Sequence, residues 1–271
     1  YSAFAQNILS RERWTTMTFS IRSDLGRVGV DDESLADNYL FLAAQRFGTF
    51  RRGYYFDESR FSFQRELLRG LTQRVAFRYN TFRPVYDFGY LQPGNEIDTL
   101  TTYEHAEAII ETRFARDELF IINDNERLSL GTSKWPELTL RYTHGFKGLA
   151  GSDFDYDKLR LSVHNRVRYG PMGVGYVTLT GEYVFSKLPY PLLSLHLGNQ
   201  TPFFAHVTYN LMDYGEFVSD RYASLHYSHH FEGLLLNRIP LMRRLKWRLV
   251  GTSNIILGGM SSMNKALIAE K

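Results

Sequence analysis

The sequence predicts an all-β protein, an antiparallel transmembrane β-barrel of roughly a dozen strands, and three observations predict it. Charged residues are repeatedly excluded from one side-chain parity over runs of about ten residues, the length a tilted strand needs to cross a bilayer. Aromatic residues, 15% of the 271 positions, crowd the ends of these runs. The connections alternate between short and long, as outer-membrane barrels require, and the runs exceed the roughly 5 to 6 residues usual for strands of soluble sandwiches. At roughly 22 residues for a strand and its connection, the chain accommodates about a dozen strands.

Successive side chains of a strand point to opposite faces, so each run is read by its period of two. Met17, Phe19 and Ile21 oppose Thr16, Thr18, Ser20 and Arg22, and Val75, Phe77 and Tyr79 oppose Arg74, Arg78 and Asn80. Between Glu104 and Arg113, Ala106, Ala108 and Ile110 oppose His105, Glu107 and Glu111, and the segment is read as strand because helical spacing is not sustained. From Glu137 to Phe146, Leu138, Leu140, Tyr142 and Phe146 oppose Glu137, Thr139, Arg141 and Thr143. From Lys158 to Tyr169, Leu159, Leu161, Val163, Val167 and Tyr169 oppose Lys158, Arg160, Ser162, His164, Arg166 and Arg168. Val177, Leu179, Tyr183 and Phe185 oppose Tyr176, Thr178, Thr180 and Glu182. Ala223, Leu225, Tyr227 and Phe231 oppose Tyr222, Ser224, His226, Ser228 and His230. The last run sets Leu245, Trp247, Leu249, Ile255 and Leu257 against Lys246, Arg248, Thr252 and Asn254. Turns are marked by Gly-Pro-Met-Gly at Gly170 to Gly173, by Pro84 to Asn95 and by Gly145 to Asp157. No repeat or composition break divides the chain, so residues 1–271 are read as a single outer-membrane barrel domain. It opens at Tyr1 without a signal-like segment and is expected to be part of a longer chain, its N-terminal domain and final strand lying outside this sequence.

Composition excludes several functions. With 32 Lys and Arg against 29 Asp and Glu, a strongly basic nucleic-acid module is ruled out, and no nucleic-acid partner is expected. The absence of Cys removes disulfides, thiolate metal sites and thiol chemistry. The stretch free of Asp, Glu, Lys and Arg from Leu188 to Met212 holds Pro189, Pro191, Pro202 and the pair Gly198 and Asn199, which forbid a continuous membrane helix.

Lys187 to Asn199 (KLPYPLLSLHLGN), Phe217 to Tyr222 (FVSDRY) and His230 to Arg248 (HFEGLLLNRIPLMRRLKWR) resemble the barrel of a family of Gram-negative outer-membrane proteins. That family carries a carboxypeptidase-regulatory-like domain ahead of its barrel and has no assigned function. The same region is more distantly similar to the surface-antigen barrels of the outer-membrane insertase superfamily. The resemblance runs mainly from Trp135 to Gly259 and includes Trp135-Pro136 and Asp153 to Leu159 (DFDYDKL). It implies a cell outer-membrane location and partners among other membrane proteins, and it brings no catalytic residues. The sequence departs from the family in two ways: the regulatory-like domain is absent, and no final strand ending in an aromatic residue is recognisable after Gly259.

Candidate chemistry is sparse. Asp153, Asp155 and Asp157 open like a calcium loop, but an EF-hand requires Gly and Glu where Lys158 and His164 stand. A looser calcium site in a loop competes with solvated acidic residues entering a strand, and the latter is favoured. Gly170, Gly173 and Gly175 mimic a phosphate loop, yet strands flank them, so they make a hairpin. His226 and His230 share a face roughly 13 Å apart, too far for one metal ion. His226 and Ser228 share a face two residues apart, the His-x-Ser arrangement of outer-membrane phospholipases, without the Asn-Gly context of those enzymes. Polar lumen positions are the plainer reading. Arg74, Arg78, Lys158, Arg160, Arg166, Arg168, Lys246 and Arg248 are expected to face the lumen, paired with Glu111, Glu137 and Glu182 or lining an anion path. The basic run Arg243, Arg244, Lys246 and Arg248 also suits acidic lipid head groups at a rim. Trp14, Trp135 and Trp247 are expected in the interfacial girdles, Trp135 above all because Pro136 after it suits a strand entrance.

The sequence reading is therefore a non-enzymatic outer-membrane barrel acting in transport across that membrane or in its assembly and maintenance. It requires no cofactor, and its partners are the lipid bilayer, lipopolysaccharide and other outer-membrane proteins in a complex. The alternatives are an outer-membrane hydrolase using His226 and Ser228, and a soluble all-β binding protein.

Overall fold

The structure is a computed structural model. It describes residues 1–27, 53–85, 90–92, 95–100, 102–123, 126–199, 208–213 and 215–265. Residues 86–89 and 93–94 of the expected turn from Pro84 to Asn95, and 200–207 of the charge-free stretch, lie outside the described residues.

The chain is all-β. Ten strands form one antiparallel sheet: β1 (Ser2–Ser10), β2 (Thr15–Arg27), β3 (Gly53–Leu68), β4 (Leu71–Pro84), β7 (Tyr103–Ala115), β10 (Glu137–Phe146), β11 (Tyr156–Arg168), β12 (Val174–Val184), β15 (Arg221–His230) and β16 (Val250–Gly259). They pair in chain order, each antiparallel to the next. The intervening numbers are two-stranded hairpins inside the connections: β5 (Tyr90–Gln92) with β6 (Asn95–Leu100), β8 (Glu118–Asn123) with β9 (Glu126–Thr132), and β13 (Ser194–Leu195) with β14 (Val218–Ser219). Among the described residues β1 pairs only with β2 and β16 only with β15. Among the described residues the sheet is therefore open at both edges and has ten strands, where a closed ladder of about a dozen was expected.

Strand registers align the polar parities of neighbouring strands. One cross-strand row runs Gln64, Arg74, Glu111, Arg141, Arg160, Glu182, Tyr222 and Gly258 through eight consecutive strands. The opposite face carries Phe19, Phe77, Ile110, Leu140, Leu161, Leu179 and Ile255. Its polarity is the reverse of a soluble sheet: Leu161 is 47% exposed, whereas Glu107 on the charged face is 3% exposed.

The run from Leu245 departs from expectation. Residues 240–244 form the short helix α1 (Pro240–Arg244), Lys246 has a positive φ of 55°, and the strand begins only at Val250. Pro240 at the first helical turn and the basic residues at its end favour that helix over a strand. A second short helix, α2 (Ser262–Lys265), follows the sheet.

Buried apolar residues gather on the polar face at one end of the sheet, where Phe82, Tyr103, Phe154, Tyr156, Val184, Leu188, Leu192 and Leu193 form one cluster. Tyr54, Phe82 and Tyr103 stack in a row with centroids 4.3 and 4.5 Å apart. Tyr156 lies flat across Gly145, its register partner, and a Cβ there would fall inside the ring. Replacing Gly145 by Val is expected to lower stability by about 1–3 kcal/mol, the usual cost of overpacking. Gly181→Val, where an added Cβ meets only a backbone oxygen at 3.8 Å, is expected to leave the thermal midpoint within a few degrees of the unaltered protein.

Candidate functional site

The candidate site is a polar pocket of about 200 Å³ between the charged face and the connection from β12 to β15. Pro189 and Pro191 forbid regular structure after β12, and a single 3₁₀ turn at Tyr190–Leu192 directs Leu188, Leu192 and Leu193 inward, all three buried. Each buried leucine contributes roughly 1.5–3 kcal/mol. Polar anchors hold the segment in place. The Leu188 amide donates to Asn264 Oδ1 on α2 at 3.0 Å, and Asn264 Nδ2 donates to Asp220 at 2.9 Å. Lys158 Nζ donates to the Leu192 carbonyl at 2.5 Å, and the Ser194 hydroxyl donates to Glu182. Asp220 also accepts from Ser261 N at 2.8 Å and from the Ser261 hydroxyl. Burial pushes this carboxyl up, but the hydrogen bonds from Ser261 and Asn264 hold it below the usual carboxylate range.

Further along, His196 Nε2 meets the Ser219 hydroxyl and its ring lies edge-on to Tyr222 at 4.7 Å. Burial lowers the His196 pKa to about 4, against the opposing charge of Glu182. Thr208 and Tyr209 lie against the charged face, where the Tyr209 hydroxyl meets His226 Nε2 at 3.2 Å and Asn254 Nδ2 donates to the Thr208 carbonyl at 2.9 Å.

Beneath this cover the charged side chains are cross-linked. Arg74 and Arg141 share Glu111 at 3.0 and 2.7 Å, Arg78 bonds Glu107 and lies 3.7 Å from Glu58, and Arg160 bonds Glu182. Glu107 also accepts from the Tyr156 hydroxyl. Arg113 bridges Glu137 at 2.6 Å and Glu118 at 2.8 Å.

The sequence-derived candidates fall out as follows. Arg74, Arg78, Lys158 and Arg160 meet in this network. Arg166 lies 5.8 Å over the Tyr176 ring, and Arg168 is exposed at the end of β11. Lys246 and Arg248 do not belong to the charged face. Both are exposed ahead of β16, where Arg248 bonds the Asn237 side chain and the Trp247 carbonyl, because the alternation that placed them there belongs to a turn. His226 and Ser228 share the charged face, but no hydrogen bond joins them among the described residues, and His226 is turned to Tyr209. Asp153 accepts from the Glu104 amide, Asp157 from Tyr142 and His144, and Asp155 is exposed. No group of three metal-ligating side chains occurs among the described residues. Trp135 and Trp247 are exposed, with Arg116 5.0 Å over the Trp135 ring. Trp14 is 9% exposed, in the β1–β2 turn, with Arg127 5.8 Å over its ring. All three lie at the same end of the sheet, opposite the inward segment.

Sequence reading missed Asn80, His105 and Asn264 as site residues. Asn80 and His105 were visible only as polar-parity positions, and Asn264 meets Leu188 from 76 residues away.

These features define a class, an all-β protein whose single large antiparallel sheet exposes its apolar face and covers its charged one. Over residues 51–259 the chain matches the C-terminal domain of a family of unknown function, DUF5686, and it belongs to that family. None of the curated proteins matches it.

Acid is expected to loosen the inward segment. His196 is neutral when buried, whereas the unfolded chain binds its proton near pH 6.5, so its contribution is complete above that pH and is lost as pH falls towards 4, by at most about 3 kcal/mol. Hydrogen exchange of the Leu188 amide, corrected for the intrinsic rate at each pH, should accelerate across that window, and His196→Gln should flatten the response. At neutral pH, Asn264→Ala should speed trypsin cleavage after Lys187, because the Leu188 amide loses a buried partner worth about 1–3 kcal/mol.

Proposed function

We propose that this chain forms the wall of an integral outer-membrane β-barrel that is not an enzyme and acts in transport across that membrane or in its assembly and maintenance. One observation carries the proposal: the apolar face is exposed and the charged face is covered. In water this arrangement forfeits the hydrophobic stabilisation that holds a sheet to a core, whereas in a bilayer the exposed band meets acyl chains and the charges face the lumen. Backbone groups are paired between neighbouring strands from β1 to β16, and this reading requires the edges at β1 and β16 to be paired as well.

The two ends of the sheet support an orientation. At the tryptophan end, β1–β2, β3–β4 and β11–β12 are joined by the short connections 11–14, 69–70 and 169–173, while β7–β10 and β15–β16 are joined by residues 116–136 and 231–249. At the other end the connections are residues 28–52, 85–102, 147–155 and 185–220, longer on the whole. Short turns face the periplasm in such barrels and long loops face outward, so the inward segment enters from the external side. The connection before β16 sets Arg243, Arg244, Lys246 and Arg248 beside exposed Leu241, Leu245 and Trp247, a composition suited to the head-group level. The partners on this reading are the bilayer, lipopolysaccharide and other outer-membrane proteins in a complex.

Purified in detergent, the protein is expected to migrate faster on gels unheated than boiled, and full solubility without detergent would overturn the reading. Leu161→Arg, on the exposed face, is expected to cost about 2–4 kcal/mol in lipid, measured by unfolding in vesicles, with little effect if that face meets water. Ser228→Ala is expected to leave any lipase or esterase signal unchanged, and loss of a signal in that variant would favour a hydrolase.

A further inference from the structure

The pocket under the inward segment holds two kinds of polar group. Its charged side chains meet partners of their own: Arg78 bonds Glu107, Arg160 bonds Glu182, Arg141 bonds Glu111 at 2.7 Å, and Lys158 donates to the Leu192 carbonyl. Two groups outside those pairs differ. Asn80 on β4 and His105 on β7 stand directly opposite each other and both line the pocket. Asn80 Oδ1 and His105 Nδ1 are buried and meet no hydrogen-bond partner among the described residues, and His105 is only 4% exposed. Buried polar atoms are nearly always satisfied, so this pair marks a place where a guest supplies the missing bonds.

The chemistry of the pair narrows the guest. An amide oxygen accepts only, and an imidazole nitrogen accepts or donates according to the tautomer. An ionised carboxylate has no proton for the amide oxygen and an ammonium cannot accept from a ring N–H, whereas a hydroxyl serves both. Residues opposite each other in an antiparallel pair hold their Cβ atoms about 4.5–5.5 Å apart, so the two side chains converge on hydroxyls borne by neighbouring carbons. Thr143, also buried, adds a hydroxyl to the lining. Beside these polar groups the wall carries the rings of Tyr54, Phe82, Tyr103, Tyr156 and Tyr222. Water would meet the polar atoms and leave the rings facing water. A molecule with hydroxyls along its edge and C–H groups on its faces meets both, the combination of apolar walls and a few placed polar groups that small-molecule pockets use.

We propose that this pocket binds a neutral pyranose sugar, either free or as one unit of a glycan, held by two adjacent ring hydroxyls on Asn80 and His105. One hydroxyl donates to Asn80 Oδ1, its neighbour pairs with His105 Nδ1, and the C–H groups of the ring lie against the aromatic wall. A cavity of about 200 Å³ has room for one such ring. This inference concerns the covered face alone and does not depend on the membrane reading, which the migration assay decides separately.

Titration calorimetry tests it on the purified chain at pH 7.5, in a detergent without a sugar head group, with glucose, galactose, mannose, their methyl glycosides and glycerol as probes. At least one hexose is expected to bind saturably, one per chain. Glycerol, which has adjacent hydroxyls but no ring, is expected to bind at least tenfold more weakly. A methyl glycoside that binds at least as tightly as its parent sugar identifies a glycan unit as the source, and weaker binding identifies the free sugar. Asn80→Leu and His105→Phe are each expected to weaken that sugar at least tenfold while the circular dichroism of the sheet stays unchanged. Should either variant fail to fold, the other, together with the sugar-to-glycerol ratio of the unaltered chain, still decides. Absence of saturable binding by every sugar probe, as for a pocket that holds water only, glycerol binding equal to the sugar, or full binding by a folded Asn80→Leu variant would overturn the proposal.

Discussion

Glu107 is the point on which the sheet turns. It is almost wholly buried, and a carboxylate withdrawn from water costs several kcal/mol unless it is paired and hydrogen-bonded. Its partners come from both sides: Arg78 from β4 and the Tyr156 hydroxyl from β11. Tyr156 in turn lies over Gly145 of β10 and enters the aromatic cluster beneath the inward segment. A slip of one residue in β7 would carry Glu107 to the apolar face, strand its partners and expose the ring's place over the glycine. A single ionised group thus ties the registers of four strands to the position of the segment that covers them.

The cover follows from the charges it hides. A face dense in arginine and glutamate needs its remaining donors and acceptors met, and a connection rich in proline and leucine supplies both carbonyls and apolar bulk. The Leu192 carbonyl meets Lys158, and Ser194 meets Glu182. The same connection is fastened outside the network through Asn264 and Asp220, which are themselves hydrogen-bonded to Ser261. The polar anchors therefore set where the segment enters, while Leu188, Leu192 and Leu193 supply the burial that keeps it there. On the membrane reading, the interior is filled by the protein's own chain, and the residual pocket is the space in which a solute would be handled.

Most of the sheet was legible because its period of two is enforced from both faces. The run from Glu137 to Phe146 is a strand end to end, and the ambiguous run at Glu104 is the centre of β7. β1 and β3 were missed for a shared reason: Phe4 and Ile8 in β1, and Tyr54 and Phe56 in β3, fall on the polar parity, while Asp57 and Ser59 of β3 fall on the apolar one. In β3 the inner aromatics serve the cluster at the covered end, so the alternation breaks where the two faces change roles. The run from Leu245 shows the opposite error, an alternation produced by an amphipathic turn and helix rather than a ladder.

By itself the sequence determined the class and the two faces, because a strand's alternation is a local property that each residue carries without reference to the rest of the chain. It also determined that Leu188 to Met212 could not be a membrane helix, since proline removes backbone donors wherever it stands. Only the tertiary structure decided which polar residues meet. Asn80 faces His105 through a register set across two strands, Asn264 reaches Leu188 from beyond the last strand, and the prolines of a connection become the lid of a pocket. Those contacts depend on register and on where a long connection lands, and a distance in space between residues far apart in sequence is not written in any local pattern.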